Sequence, residues 1–164
     1  MKLCSKKWTY GVFGLYLLFL IWLVLFKLAT DPAQIPSQRG INLVPFYYDQ
    51  ENGVHWKEVL YNVLIFVPAG FYFAAFFQKK NILLGTAAAA AISLFFEISQ
   101  WVFSIGATDI TDLITNTAGG FCGVALFWVL GKVAKNHRMT IANTVGAVLE
   151  ILFGALLALL LIAN

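Results

Sequence analysis

The chain has 164 residues, of which 60% are hydrophobic and 12% are charged, and its formal net charge is +3. Soluble domains carry roughly twice that share of charged residues, so the composition excludes an ordinary soluble enzyme or binding domain. The positive charge does not indicate a nucleic-acid partner, because the basic residues cluster in short segments beside apolar runs. The length suits one compact helical bundle.

Five apolar stretches are each long enough to cross a bilayer, which takes roughly 20 helical residues. The sequence therefore predicts an all-α fold, a polytopic bundle of five transmembrane helices. The predicted spans are residues 8–26, 59–77, 82–105, about 112–131 and 141–163. The first run is longer than the apolar part of a signal peptide and no A-x-A site follows it, so we expect a retained signal anchor.

The distribution of Lys and Arg predicts the orientation. If all five spans are real, three segments fall on one face and carry eight of the eleven basic residues with no acid: Lys2, Lys6, Lys7, Lys79, Lys80, Lys132, Lys135 and Arg138. The positive-inside rule then places the N-terminus in the cytoplasm. The long connection 28–58 would lie outside, where its aromatic residues suit the headgroup region.

Two polar residues fall inside the third predicted helix. Glu97 and Gln100 are three residues apart, so they share one helix face. Glu97 lies too deep for a short side chain to reach water, and it needs a partner, a proton or a water-filled pocket. The alternative is a purely structural role, with a neutral Glu97 hydrogen-bonded between helices.

The fourth predicted helix carries a second polar stripe, formed by Asp109, Asp112 and Asn116. Capping offers a structural explanation for the acids, since Asp109 is a good N-cap residue and Asp112 would then sit beside the positive end of the helix. Capping does not explain Asn116, two turns further in. Asn62 sits at a similar depth on the second helix.

These polar groups are expected to converge in one half of the bundle. The catalytic candidates are Glu97, Asp109 and Asp112, and the substrate-binding candidates are Arg39, Asn42, Asn62, Gln100 and Asn116. A carboxylate cluster could bind a divalent cation, act in acid/base chemistry or carry protons. The spacing matches no metal motif, so metal and cofactor use stays open. Glu150, near the middle of the fifth helix, is a packing or relay candidate.

Several stretches resemble the VanZ family. They are INLVPF (41–46), NVLIFVPAGF (62–71), FEISQ (96–100) and IGATDITDLITNTAGGF (105–121), and IWLVLFKL (21–28) is similar to the family's first helix. The resemblance covers most of residues 20–125 and leaves out the fifth helix. It divides the chain into a signal-anchor helix (1–27), a VanZ-like core (28–131) and a basic connection with a C-terminal helix (132–164).

The resemblance implies a bacterial cell-membrane protein associated with reduced susceptibility to teicoplanin. This glycopeptide has a lipid tail and binds the D-Ala-D-Ala end of peptidoglycan precursors outside the membrane. The family motifs carry over to ten positions here: Asn42, Pro45, Asn62, Pro68, Glu97, Gln100, Asp109, Asp112, Asn116 and Gly120.

We therefore expect a VanZ-like membrane protein that confers teicoplanin resistance at the outer leaflet through its acidic cluster. Its partner would be a membrane lipid or a lipid-linked envelope precursor. The alternatives are a membrane enzyme or transporter handling such a precursor, and a structural subunit. Neither G-x-S-x-G nor H-E-x-x-H is present, so whether a reaction is catalysed stays open. A transport path through so small a unit would require a homo-oligomer.

Overall fold

A computed structural model describes residues 5–27, 35, 38–47, 55–77 and 81–163. The described residues form five long helices: α1 Lys6–Leu25, α2 Trp56–Phe77, α3 Ile82–Phe103, α4 Ile110–Val133 and α5 Arg138–Ala163. Each is long and apolar enough to cross a membrane. The prediction of an all-α bundle with five spans is confirmed, with helix ends shifted by a few residues. Cys4, Lys2, Lys79 and Lys80 lie outside the described residues.

A short parallel sheet, which the sequence does not predict, closes one end of the bundle. Strand β1 (Gln38–Asn42) pairs with β2 (Ile105–Asp109), with Gln38 opposite Ile105 and Asn42 opposite Asp109. Pairing satisfies backbone groups that would otherwise be left without partners beside the apolar phase. We call this end the sheet end. The opposite end carries Lys132, Lys135 and Arg138 and is called the basic end.

Helices α2 and α4 pack backbone to backbone. A Cβ atom added to Gly119 would overlap the carbonyl oxygen of Val63, and one added to Gly123 would overlap that of Val67. The G-x-x-x-G step of Gly119 and Gly123 therefore lies at a helix-packing face, as expected. Phe66 on α2 is fully buried beside this contact. The close approach fixes the position of α4 relative to α2.

Helix α5 is the least buried of the five. Only 6% of its membrane-spanning stretch is buried, against 28% to 39% in the other four helices. A buried polar chain attaches it, in which the Tyr72 hydroxyl donates to Asn143 Oδ1 at 3.2 Å and Asn143 Nδ2 donates to Thr9 Oγ1 at 2.9 Å. This chain ties α5 to α1 and α2 near the basic end.

The contact between α2 and α4 predicts which glycine is essential for folding. Gly119→Ala should lower the free energy of unfolding by about 1–3 kcal/mol, because the added methyl group forces the two helices apart. Gly14→Ala is the matched control, since no described atom lies within 4 Å of its added Cβ and alanine favours a helix. The measurement is SDS-induced unfolding in mixed micelles, followed by circular dichroism. Equal stability of the two variants would contradict the packing.

Candidate functional site

The site is built where α3 turns into α4. Ser104 ends α3 in a left-handed conformation (φ 55°), and β2 then leads directly into Asp109 at the start of α4. This return brings Asp109 beside Glu97, whose carboxylate Oε2 accepts from the Asp109 N–H at 2.8 Å. The Thr108 hydroxyl donates to the Glu97 carbonyl oxygen at 2.9 Å. Glu97 is only 3% exposed and lies six residues, roughly 9 Å, from the end of α3.

Both carboxylate oxygens of Asp109 are occupied. Oδ1 accepts from the Thr111 N–H at 2.7 Å, which makes Asp109 the N-cap of α4. Oδ2 accepts from Asn42 Nδ2 at 3.1 Å. The capping interpretation is therefore confirmed, and the same side chain also holds β1 against the start of α4.

Asp112 makes the connection between α4 and α2. Its Oδ1 accepts from Asn62 Nδ2 at 2.6 Å, within the range of a charge-assisted hydrogen bond. Asp112 is at the third position of α4, beside the positive end of the helix, as the sequence predicts. Its side chain is partly exposed, in contrast to Glu97. Of the two residues, Asp112 is the less buried.

These contacts bring together five of the eight predicted site residues. We call the set the carboxylate cluster; its members are Asn42, Asn62, Glu97, Asp109 and Asp112. Each is tied to another member directly or through backbone, and together they join β1, α2, α3 and α4.

A second polar layer lies one turn deeper, between α3 and α4. Asn116 Nδ2 donates to Ser93 Oγ at 3.0 Å, and both side chains are buried. Ser93 precedes Glu97 by four residues and Asn116 follows Asp112 by four, so each lies directly below an acid. The Asn116 Oδ1 atom has no hydrogen-bond partner among the described residues. Sequence reasoning missed Ser93, although its spacing to Glu97 is the signal that could have identified it.

Gln100 points toward α1 rather than toward the carboxylates of the cluster. Its Nε2 donates at 3.1 Å to the carbonyl oxygen of Val24, in the last turn of α1. Gly106 on β2 lies against the Gln100 amide. Within the part of the chain that the structure describes, Gln100 Oε1 is a buried acceptor without a donor. Gln100 therefore attaches the end of α1 to the site.

Arg39 lies on the other face of β1 from Asn42, because the side chains of a strand alternate. Its guanidinium is exposed, donates to Ser104 Oγ at 3.0 Å and to the Val102 carbonyl oxygen at 3.3 Å, and lies 5.2 Å from the Trp101 ring centroid. These contacts place a cation at the negative C-terminal end of α3. The structure thus separates Arg39 from the carboxylates.

A cation that sequence reasoning missed lies at the end of α1. Lys27 is exposed, and its positive charge has only a small electrostatic influence on Glu97 and Asp112. The available signal was its position as one of three basic residues expected on this side of the membrane. In the described ranges, no group of three or more His, Cys, Asp and Glu side chains is arranged to hold a metal ion.

Comparison with known proteins agrees with this architecture. The sequence model of the family described as VanZ/LLP1 matches residues 13–131. The chain belongs to the VanZ family. It is 41% identical over 137 residues to Protein VanZ of Enterococcus faecium, an alignment that covers 82% of this chain and 83% of that protein. No solved structure matches it.

The match confirms the resemblance drawn from the motifs, and five apolar helices make this VanZ-family chain a membrane protein. The family match includes all eight predicted site residues and ends before α5. The carboxylate cluster therefore belongs to the part of the molecule that matches the family model.

The hydrogen bonds predict different costs for two similar substitutions. Asp109→Asn keeps one oxygen for the Thr111 N–H but turns an NH₂ group toward Asn42 Nδ2. Asn42 cannot flip in response, since its Oδ1 accepts from Val44 N and its Nδ2 also donates to the Tyr47 carbonyl oxygen. We expect a loss of about 1–3 kcal/mol in the free energy of unfolding, measured in mixed micelles.

Asp112→Asn is the matched control, because the new amide oxygen still accepts from Asn62. It should cost clearly less than Asp109→Asn. Adding Asn42→Asp to Asp109→Asn restores a donor–acceptor pair between the two positions and should recover part of the loss. Equal costs for the two single substitutions, with no recovery in the double variant, would contradict the assigned bonds.

Proposed function

We propose that this VanZ-family protein confers teicoplanin resistance by acting at the outer leaflet through the carboxylate cluster. The observation that carries the proposal is the convergence of three acids and two amides at one end of a membrane bundle. Polar and ionisable groups in spanning segments are costly and commonly mark function. The choice of teicoplanin as the antibiotic rests on the resemblance to the family.

The orientation rests on charge. The basic end carries Lys132, Lys135 and Arg138, with no acid between residues 132 and 138. Cytoplasmic connections are enriched in Lys and Arg, so the sheet end and the carboxylate cluster would face outward. Glycopeptides and the precursor ends they bind are on that side.

Single cysteines test this orientation. In a background without Cys4 and Cys122, Tyr47→Cys should react in intact cells with a membrane-impermeant maleimide, and His137→Cys should react only after the cells are opened. Both side chains are exposed, at opposite ends of the bundle. Labelling of His137→Cys from outside would reverse the orientation and remove the outer-leaflet assignment.

An apolar surface surrounds the cluster at the sheet end. Leu43 is 71% exposed, and Trp56 and Phe103 are each 70% exposed. The segment that carries Leu43 is tied to α4, because the Phe46 N–H donates to Thr111 Oγ1 at 2.9 Å. Large apolar and aromatic side chains at this level suit the boundary between headgroups and acyl chains. A lipid-tailed molecule entering the leaflet would meet this surface first.

The polar groups suit a headgroup that is both anionic and rich in hydrogen-bond donors. Arg39 and Lys27 are exposed cations near the membrane boundary, and Arg39 is the candidate phosphate contact. Asp112 would accept from hydroxyl or amide groups of the same molecule. A lipid-linked envelope precursor or another anionic membrane lipid combines these features. Glu97 and Asp109 would hold the geometry in which Asp112 meets the ligand.

The function is tested by paired drug susceptibility in one glycopeptide-sensitive host, with and without the chain. Tail insertion contributes about 0.8 kcal/mol per buried CH₂ group, so a protein in the membrane can act on a molecule that inserts first. Expression should raise the inhibitory concentration of teicoplanin several-fold more than that of vancomycin, which lacks such a tail.

Two variants connect the phenotype to the cluster. Glu97→Gln and Asp112→Asn each keep an oxygen that can accept the existing hydrogen bond while removing the negative charge. Both should be present in the membrane at normal levels and lose most of the protection. Full protection by both variants would exclude a role for the charges. Equal protection against the two drugs would instead indicate altered precursor chemistry and favour the enzymatic alternative.

A further inference from the structure

A groove between α1 and α5 lies away from the carboxylate cluster. It encloses about 440 Å³ and is lined mainly by apolar and glycine residues, among them Val12, Leu15, Phe19, Gly11 and Gly154. One lining residue is ionisable, Glu150. The groove is partly open, and one of its walls is the least buried helix of the bundle. It therefore presents a polar group in an otherwise apolar surface.

Glu150 lies near the middle of the membrane. It follows the first residue of α5 by twelve residues, roughly 18 Å, whereas the hydrocarbon core is about 30 Å thick. No described side chain or backbone group forms a hydrogen bond or ion pair with its carboxyl group. The Tyr72 hydroxyl donates its hydrogen to Asn143, and the indole N–H of Trp8, which lines the same groove, forms no hydrogen bond with any described residue. A carboxyl group at this depth is costly unless it finds a partner.

The floor of the groove permits close approach of another helix. No described atom lies within 4 Å of a Cβ added to Gly11 or Gly154. Gly154 and Ala158 are four residues apart on α5, the small-x-x-x-small spacing that lets membrane helices pack closely. Ile151 and Leu152 beside them are exposed and could interlock with a facing helix.

We propose that the occupant of this groove is a second copy of this chain, docked α5 against α5 about a two-fold axis along the membrane normal. Such an axis puts the same residue of both copies at the same depth, so Glu150 meets Glu150. A protonated carboxyl group both donates and accepts a hydrogen bond, and the pair satisfies itself. An acyl chain would fill the volume but leave Glu150 without a partner.

Disulfide cross-linking in native membranes tests the interface. The variant is Gly154→Cys in the full chain, without Cys4 and Cys122. Ile98→Cys is the matched control, because Ile98 lies sixteen residues past the start of α3, as Gly154 does past the start of α5, and is 52% exposed. We expect most of the Gly154→Cys protein to run as a covalent dimer and little of the Ile98→Cys protein to do so. Equal cross-linking would indicate random collision and overturn the proposal.

Substitution of Glu150 tests the pairing itself. Glu150→Gln retains a donor and an acceptor, so cross-linking through Gly154→Cys should persist. Glu150→Leu should reduce it several-fold, with helicity and membrane level unchanged. Undiminished cross-linking by Glu150→Leu would overturn the carboxyl pair. When two differently tagged copies are expressed together, both tags must appear in one cross-linked product. A cross-linked product that contains another protein instead would overturn the assignment of the occupant.

Discussion

The hydrogen bond from the Asp109 N–H to the Glu97 carboxylate is the contact on which the sheet end depends. It joins the buried side chain of Glu97 to the backbone of Asp109 at 2.8 Å. It fixes the return from α3 to α4, so Asp109 is in place both to cap α4 and to accept from Asn42. Without it, the Asp109 N–H and the Glu97 side chain would lack this partner beside an apolar medium.

The glycine contact between α2 and α4 supplies the second constraint. Backbone approach at Gly119 and Gly123 sets the separation at which Asn62 reaches Asp112 at 2.6 Å. The deeper pair of Asn116 and Ser93 continues the same alignment toward Ala89, which packs on Gly120. Apolar close packing therefore determines the geometry of the polar groups, since no solvent is present to make up for a misplaced partner.

The acids of the site are unequal. Asp109 is fully engaged in capping and in holding β1, and Glu97 is buried against the backbone of β2, so both stabilise the return. Asp112 is less buried than Glu97 and accepts one hydrogen bond, from Asn62. Within the carboxylate cluster, the structural contacts of Asp109 and Glu97 thus differ from the proposed contact of Asp112 with a ligand. The proposed contact between two copies lies elsewhere, on α5, outside the residues that match the family model.

The sequence by itself determined the five spans, because the length and apolar content of a membrane helix are set locally by bilayer thickness. It also determined the capping by Asp109, which follows from the local preference for Asp at the N-cap of a helix. Only the tertiary structure decided that β1 pairs with β2 and that Arg39 faces away from Asn42. These outcomes depend on contacts between segments far apart in the chain, and no local pattern in 38–42 or 105–109 specifies a strand. The hydrogen-bond partners of Ser93 and Gln100 could not be predicted from the sequence for the same reason. These partners, Asn116 and Val24, depend on which helix faces meet.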